Sequence, residues 1–531
     1  MTNTRQTNQV ARRRLRWFTW GRGRRWWDYP LLAVSVALFW ASFPPLAMGY
    51  LAVPALAILF AVLNAVRVGR STWYGFLFGL GFFLPHIWWA TISVGGYLPW
   101  FALCLVQALF LAGFGFSAGV VRYLAKGAVG NSVLLALAWV GVEQLRACVP
   151  FGGFSWALLA YSQVDLPVRT LAPWGSEVTI GFVCALTASL VMRVLVRPRW
   201  LRPGFGFFSR ATALVLAALL CAGPWMLRLP LAQEAGSVRV GAVQGNVQWP
   251  AEQTFAQHLK VTDNHVQQTL KTVRAGQRAD FLVWGENSAD TDPREDAQAY
   301  DLIYHALEAA GVPILVGSVK YTPTARYNDM LVYSPDGQIV DQYRKQLPVP
   351  FGEYVPMRKY LSVLSKDVAR VSVDMLPGSE PGFVKIPLSG QRQLPAAIGI
   401  CFEAAYEEVL AGGVLAGGQL LLMPTNNSSF GNSVESGQLL QMTRLRAMSL
   451  SRSAVHVSTN GQSALIWPDG SVRKQTHLFE SATLIDDVPL RTSITFSARH
   501  LPQLRTGVIA AWGGALCVGV FLALLRRRPR G

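Results

Sequence analysis

Ala397-Ile398-Gly399-Ile400-Cys401-Phe402-Glu403 is an apolar strand running into a cysteine, with a carboxylate two residues on. Cys401 stands alone in a polar region of about 265 residues. The other cysteines, Cys104, Cys148, Cys184, Cys221 and Cys517, lie in or beside apolar runs, so none is available within that region to form a disulfide. A buried inert thiol is the ordinary reading of a lone cysteine. A thiol at a strand end beside a carboxylate points instead to a nucleophile.

Outward from this stretch the chain turns apolar on both sides. Hydrophobic residues make up 51% of its 531 residues and charged ones only 15%, which is unusual for a soluble protein. Runs long enough to cross ~30 Å of hydrocarbon lie near 30–45, 47–66, 71–92, 99–121, 130–148, 178–196 and 211–228, with another at 506–525. They predict about eight transmembrane helices. The first run lacks a small-residue cleavage site and is followed at once by another span, so it is not a removable signal.

The net charge of +18 could suggest nucleic acid, but its distribution argues otherwise. Arginines crowd the first 29 residues and close the chain at Arg526, Arg527, Arg528 and Arg530. Between these ends, connections holding Arg67 and Arg70, Arg122 and Lys126, and Arg197, Arg199, Arg202 and Arg210 alternate with connections nearly free of Lys and Arg. That is the placement of cytoplasmic loops under the positive-inside rule. A nucleic-acid surface would gather its basic residues on one folded face. The expected organisation is a basic cytoplasmic tail (1–29), a seven-helix transmembrane domain (30–235), an outward-facing domain (236–500), and a last helix with a basic cytoplasmic tail (501–531).

The polar region reads as α/β. Val238 to Gln244, Phe281 to Trp284 and Val312 to Gly317 are strand-like, and helices are expected over 253–275, 299–310 and 438–451. Met330 to Tyr333 and Gln338 to Val340 form a hairpin about Pro335-Asp336-Gly337. Strands also precede Cys401 and Pro424, and the alternation fits a layered sandwich.

Besides Cys401, Glu286 and Lys345 each sit just past a strand end. Lys345 opens Lys345-Gln346-Leu347-Pro348-Val349-Pro350-Phe351-Gly352-Glu353-Tyr354-Val355-Pro356. With this Glu, Lys, Cys order the sequence resembles the nitrilase (carbon–nitrogen hydrolase) superfamily, which implies an αββα sandwich. Within it the chain looks most like the apolipoprotein N-acyltransferases. The matching pieces include Val243-Gln244-Gly245-Asn246, the stretch from Lys345 to Pro356, Cys401-Phe402-Glu403, Gln441 to Ala447 and Thr459-Asn460-Gly461. In the membrane part, Glu143-Gln144-Leu145-Arg146, Phe151 to Trp156 and Tyr161-Ser162-Gln163 match too. The family usually carries proline at Gly285 and tyrosine at Phe402, and its Trp-Phe-Gly is Ser429-Phe430-Gly431 here.

The resemblance implies a bacterial plasma (inner) membrane enzyme that needs no cofactor or metal. It would take an acyl chain from a phospholipid, hold it as a Cys401 thioester, and pass it to the N-terminal amine of a diacylglyceryl-cysteine lipoprotein. A monomer is expected, with the bilayer as its other partner and no nucleic acid. An ammonium at Lys345 would lower the thiol pKa and hold the oxyanion, helped by a backbone N–H after Cys401. The alkoxide leaving group needs an acid, which Glu286 can be. Glu353 would orient Lys345 or Glu286, and Glu403 and Phe402 would support the nucleophile loop. Trp156, Asn328, Trp249 and Phe430 are assigned to substrate binding.

Blander readings stand beside these. Lys345 and Glu353 alone would be solvated charges. Glu143 and Arg146, one turn apart, either pair with each other or face substrate. Trp156 and Trp249 are equally readable as interfacial anchors. Asn426-Asn427-Ser428-Ser429 matches a glycosylation acceptor and is discounted, and no His/Cys/Asp cluster suggests a metal. Two rival functions are a membrane-tethered amidase acting on small molecules and a transport or scaffold protein with an inactive nitrilase domain.

Overall fold

The computed structural model describes residues 26–64, 66–122, 124–125, 127–195, 206–359 and 372–525. The basic tail through residue 25, Lys126, the loop with Arg197, Arg199 and Arg202, positions 360–371 and the C-terminal arginines lie outside the described residues.

Every expected apolar run contains a helix. In order these are α1 (Asp28–Ala41), α2 (Ala52–Leu63), α3 (Val68–His86), α4 (Tyr97–Val121), α5 (Ala128–Arg146), α6 (Ser176–Leu195) and α7 (Gly206–Ala222). A last helix, Phe496–Leu525, covers the eighth run and starts ten residues ahead of it. Among the described residues three helices, α4, α6 and the last, are long and apolar enough to cross a membrane. The others fall short for visible reasons. α2 is only 12 residues long, because Gly49–Leu51 winds as a 3-10 turn ahead of it. α3 and α5 carry Ser71, His86, Glu143, Gln144 and Arg146, all turned into the protein interior.

The polar region folds as two six-stranded sheets. The first holds β1 (Ser237–Gln244), β2 (Phe281–Trp284), β3 (Ile314–Tyr321), β4 (Arg326–Tyr333), β5 (Ile339–Arg344) and β12 (Ala482–Pro489), in the order β12-β1-β2-β3-β4-β5. The second holds β6 (Phe383–Pro387), β7 (Gln393–Ile398), β8 (Leu421–Thr425), β9 (Ala454–Ser458), β10 (Ala464–Ile466) and β11 (Val472–Gln475), in the order β11-β10-β9-β8-β7-β6. Each sheet has three parallel strands at its centre, β1-β2-β3 and β7-β8-β9, with antiparallel flanks.

β2 is apolar at every position because both its faces are covered. Phe281 and Val283 pack toward the second sheet, while Leu282 and Trp284 pack outward with Val266, Leu270, Ile303 and Leu307. Those four come from α8 (Lys260–Arg274) and α9 (Ala297–Ala310). α10 (Glu407–Leu415) and α11 (Glu435–Ser449) cover the second sheet, and the layers run αββα. The single helix expected over 253–275 is interrupted. A short Ala251–Phe255 turn ends before α8, whose start is held by Asp290 accepting from Val261 N and Thr262 Oγ1. α11 begins three residues earlier than expected, at Glu435. The hairpin forms, with strands longer than the sequence suggests.

The polypeptide leaves β2, β5, β7, β8 and β9 at one edge of the sandwich, the usual place for a ligand crevice in open α/β sheets. The last helix, numbered α12 (Phe496–Leu525), returns from the sandwich to the other apolar helices.

Candidate active site

Glu286, Lys345 and Cys401 come together at this edge. Lys345 is 1% exposed, and its Nζ donates to Glu286 Oε1 at 3.2 Å and to Glu353 Oε1 at 2.7 Å. Its backbone N–H is fixed on Asn328 O at 2.9 Å. Asn328 Nδ2 donates to Glu286 Oε1 at 2.6 Å. Asn328, assigned to substrate binding from the sequence, is here a buried partner of Glu286. Glu353 is anchored in turn, its Oε2 accepting from Val349 N at 2.7 Å. The turn after β2 can sit this tightly because residue 317 is glycine. A Cβ there would lie 2.5 Å from Gly285 O and 2.9 Å from Glu286 Cα.

Cys401 has φ +55°, a left-handed backbone unusual for a residue with a side chain. It opens a short 3-10 turn, Cys401–Ala405, so the strand-to-turn corner lifts the sulfur out of the sheet. Glu403 holds that corner. One carboxylate oxygen accepts from Ile400 N at 2.7 Å, and the other from Gln346 N at 2.7 Å and Leu347 N at 2.9 Å, with Tyr343 Oη donating as well. One buried carboxylate therefore ties the nucleophile loop to the lysine loop. Burial pushes Glu403 up to about 7 against those donors.

The electrostatics differ from the sequence expectation at one point. Burial, then the Glu286 charge, raise the Cys401 thiol above its ordinary value, and Lys345 only partly offsets them. The sulfur rests protonated. Burial alone would drive Lys345 down, but Glu286 and Glu353 outweigh it and hold the ammonium charged. A neutral thiol beside a fixed cation needs a base at the moment of attack, and Glu286 lies on that same cation.

An aromatic wall joins this site to the apolar helices. The Trp156 ring stacks on Phe402 at 5.9 Å with an interplanar angle of 13°, and Phe154 stacks on Trp156 at 5.9 Å. Trp89, just past α3, meets Trp156 at 5.3 Å and Phe430 at 5.4 Å. Gln438 Oε1 accepts from both indoles, at 2.9 Å from Trp89 and 2.6 Å from Trp156, and its Nε2 donates to His86 O. Trp156 is buried. Trp249 is half exposed and lies over Gly431. Phe151 and Phe351, both exposed, face each other at 6.1 Å.

Glu143 and Arg146 do not pair through hydrogen bonds. Glu143 Oε1 accepts from Leu159 N, and Arg146 Nη1 donates to Phe154 O and Trp156 O. Together they shape the loop that carries Trp156. Ser155 Oγ and Tyr161 Oη then donate to Ala405 O, in the nucleophile turn.

Three groups at the site were not singled out from the sequence. Arg446 is fully buried: its Nε donates to Ala404 O at 2.9 Å, and its Nη1 to Glu177 at 2.8 Å and Glu407 at 2.6 Å. Gln438 is the second. Glu435, 1% exposed, is the third; it is held by Asn427 Nδ2 at 2.6 Å. Intramembrane-edge charges at Glu177 and Arg505 were the available signal for the first. Nothing marked the other two. Among the described residues no cluster of His, Cys, Asp or Glu could hold a metal.

The chain is similar to known proteins in both of its parts. Residues 35–190 match the family model for the apolipoprotein N-acyltransferase N-terminal domain, and 239–496 match that for carbon-nitrogen hydrolase. The chain is 33% identical to the apolipoprotein N-acyltransferase of Mycolicibacterium smegmatis, over 91% of this chain and 83% of that one. It is 31% identical to that of Pseudomonas putida, over 89% and 92%. Among solved structures, an amidase from Nesterenkonia sp. is similar at 16% identity with a TM-score of 0.35, covering 48% of this chain and 90% of that one.

Proposed function

The chain belongs to the apolipoprotein N-acyltransferase family, and from that premise we propose how its geometry carries acyl transfer. Its activity is the N-acylation of lipoproteins, as a membrane enzyme that takes a phospholipid as donor and a lipoprotein as acceptor. In our reading Glu286, Lys345 and Cys401 are the catalytic groups. Glu286 takes the thiol proton as sulfur attacks the ester carbonyl. Lys345 and the backbone N–H after Cys401 hold the tetrahedral oxyanion. On collapse the C–O bond breaks, Glu286 returns its proton to the departing alkoxide, and a lysophospholipid leaves. The acyl chain stays on sulfur until an amine replaces it.

The single observation that carries this reading is Trp156 stacked on Phe402. It puts an apolar wall from the membrane part directly beside the nucleophile, where a two-chain lipid can present its ester without leaving the bilayer. Each CH₂ withdrawn from lipid costs ~0.8 kcal/mol, so the site has to come to the substrate. The same wall would keep water from the thioester. Trp249, Phe430 and Phe351 are proposed as lipid contacts. The finer placement is proposed with it: eight spans, a plasma-membrane monomer, residues 236–500 outside and both termini in the cytoplasm.

The test is to incubate purified protein with phospholipid and look by mass spectrometry for an acyl adduct on Cys401. Hydrolysis of small amides with no adduct from phospholipid would favour the amidase instead.

A further inference from the structure

Glu435 is a buried carboxylate that the steps above leave without a task. It sits in the first turn of α11 and is fixed by a locked neighbour. Asn427 Oδ1 accepts from Ser458 Oγ at 2.5 Å and Thr425 Oγ1 at 3.2 Å, which orients its Nδ2 onto Glu435 Oε2 at 2.6 Å. Glycine at 461 permits this: a Cβ there would lie 2.4 Å from Asn427 Oδ1. Asn426, one residue before, turns its backbone N–H to Cys401. Among the described residues Glu435 Oε1 has no hydrogen-bond partner, although the side chain is 1% exposed. Its charge acts on both Cys401 and Glu286. Glu286 is committed to Lys345 and Asn328, Glu353 to Lys345 and Val349 N, and Glu403 to backbone N–H groups, whereas Glu435 has one oxygen free.

Proton counting in the second half-reaction calls for such a group. The acceptor amine arrives largely as an ammonium, since an α-amino group titrates near 7.7–8.0. To form an amide it must lose two protons, one before its lone pair can attack and one as the C–N bond forms. When the C–S bond breaks, sulfur takes back one proton, delivered by Glu286. The other needs a second base.

Resting on the acyl-transfer reading above, we infer that Glu435 receives the acceptor's ammonium on its free oxygen and takes that second proton, later giving it to solvent. Burial, then the nearby Glu286 charge, place Glu435 at about 8, matched to an α-amine so that the transfer is close to even.

The test separates the two half-reactions in the full-length enzyme. With phosphatidylethanolamine or phosphatidylglycerol micelles, Glu435→Gln is expected to form the Cys401 thioester no more slowly than the wild type, since it removes one of the charges that raise the thiol. Transfer to a synthetic diacylglyceryl-cysteine peptide should then slow by roughly 100-fold. Cleavage of the same thioester by hydroxylamine, which is uncharged at neutral pH, should change little. A purely structural role would slow both nucleophiles alike, and that result, or undiminished peptide transfer, overturns the inference. If Glu435→Gln folds poorly, Glu435→Asp carries the same comparison, with partial peptide transfer expected and an equal loss for both nucleophiles overturning it. A wild-type enzyme that forms no thioester would bring down the acyl-transfer reading itself.

Discussion

Four carboxylates, Glu286, Glu353, Glu403 and Glu435, gather about one ammonium and one thiol, and they are held by different donors. Glu286 and Glu353 share Lys345, while Glu403 is saturated by backbone N–H groups. Removing the cation leaves Glu286 buried and Glu353 part-buried without it, so Lys345→Gln should lose the acyl adduct and also ~3–5 kcal/mol of stability, read from denaturation in detergent. Cys401→Ala should lose the adduct alone and keep the wild-type unfolding midpoint. Glu435 gives a prediction of opposite sign. Its folded pKa is raised from 4.5 to about 8, so its contribution to stability is full below the unfolded value and is lost as pH rises toward the folded one. Glu435→Gln escapes that loss, and its unfolding midpoint relative to wild type should be higher at about pH 9 than at about pH 5. Glu286, Lys345 and Cys401 were legible in the sequence because each ends a recognisable strand. Glu435 was not, since an acid in the first turn of a helix is ordinary and only the fold brings it beside Asn427.

Among the elements, α11 does more than cover a sheet. One face supplies Gln438 to the two indoles of the aromatic wall, and another supplies Arg446 to the nucleophile turn. Gln438→Leu strands two buried N–H donors at ~1–3 kcal/mol each. The expected outcome is slower thioester formation with a red-shifted tryptophan emission, while Glu286, Lys345 and Cys401 stay in place. The sequence announced α11 through its apolar spacing but not its start, because that spacing begins only at Leu439, although Asn432-Ser433-Val434-Glu435 has the spacing of a capping box. The break between Ala251–Phe255 and α8 was hidden for a related reason. It is set by Asp290, some thirty residues away, and no local pattern reports that.

In the whole molecule, the apolar helices and the sandwich are joined by charge. Arg446 bridges Glu177 of α6 and Glu407 of α10, and Arg505 of α12 joins Glu177, Glu408 and Gln144. Hydropathy revealed the two parts of the chain, but the joint depends on pairings across more than three hundred residues and was illegible. The proposed topology predicts that Asp336→Cys reacts with an impermeant maleimide from outside intact cells, and Thr4→Cys only after permeabilisation. The reverse pattern would refute it. Arg446 also grips the carbonyls of Ala404 and Ala405. The turn that carries the sulfur is thereby tied to Glu177 of α6. In the proposed arrangement the bilayer surface has to lie level with that turn, and a membrane of another thickness must deform to bring its lipid there. Turnover should then peak at one hydrocarbon thickness and decline in reconstituted membranes a few ångströms thicker or thinner.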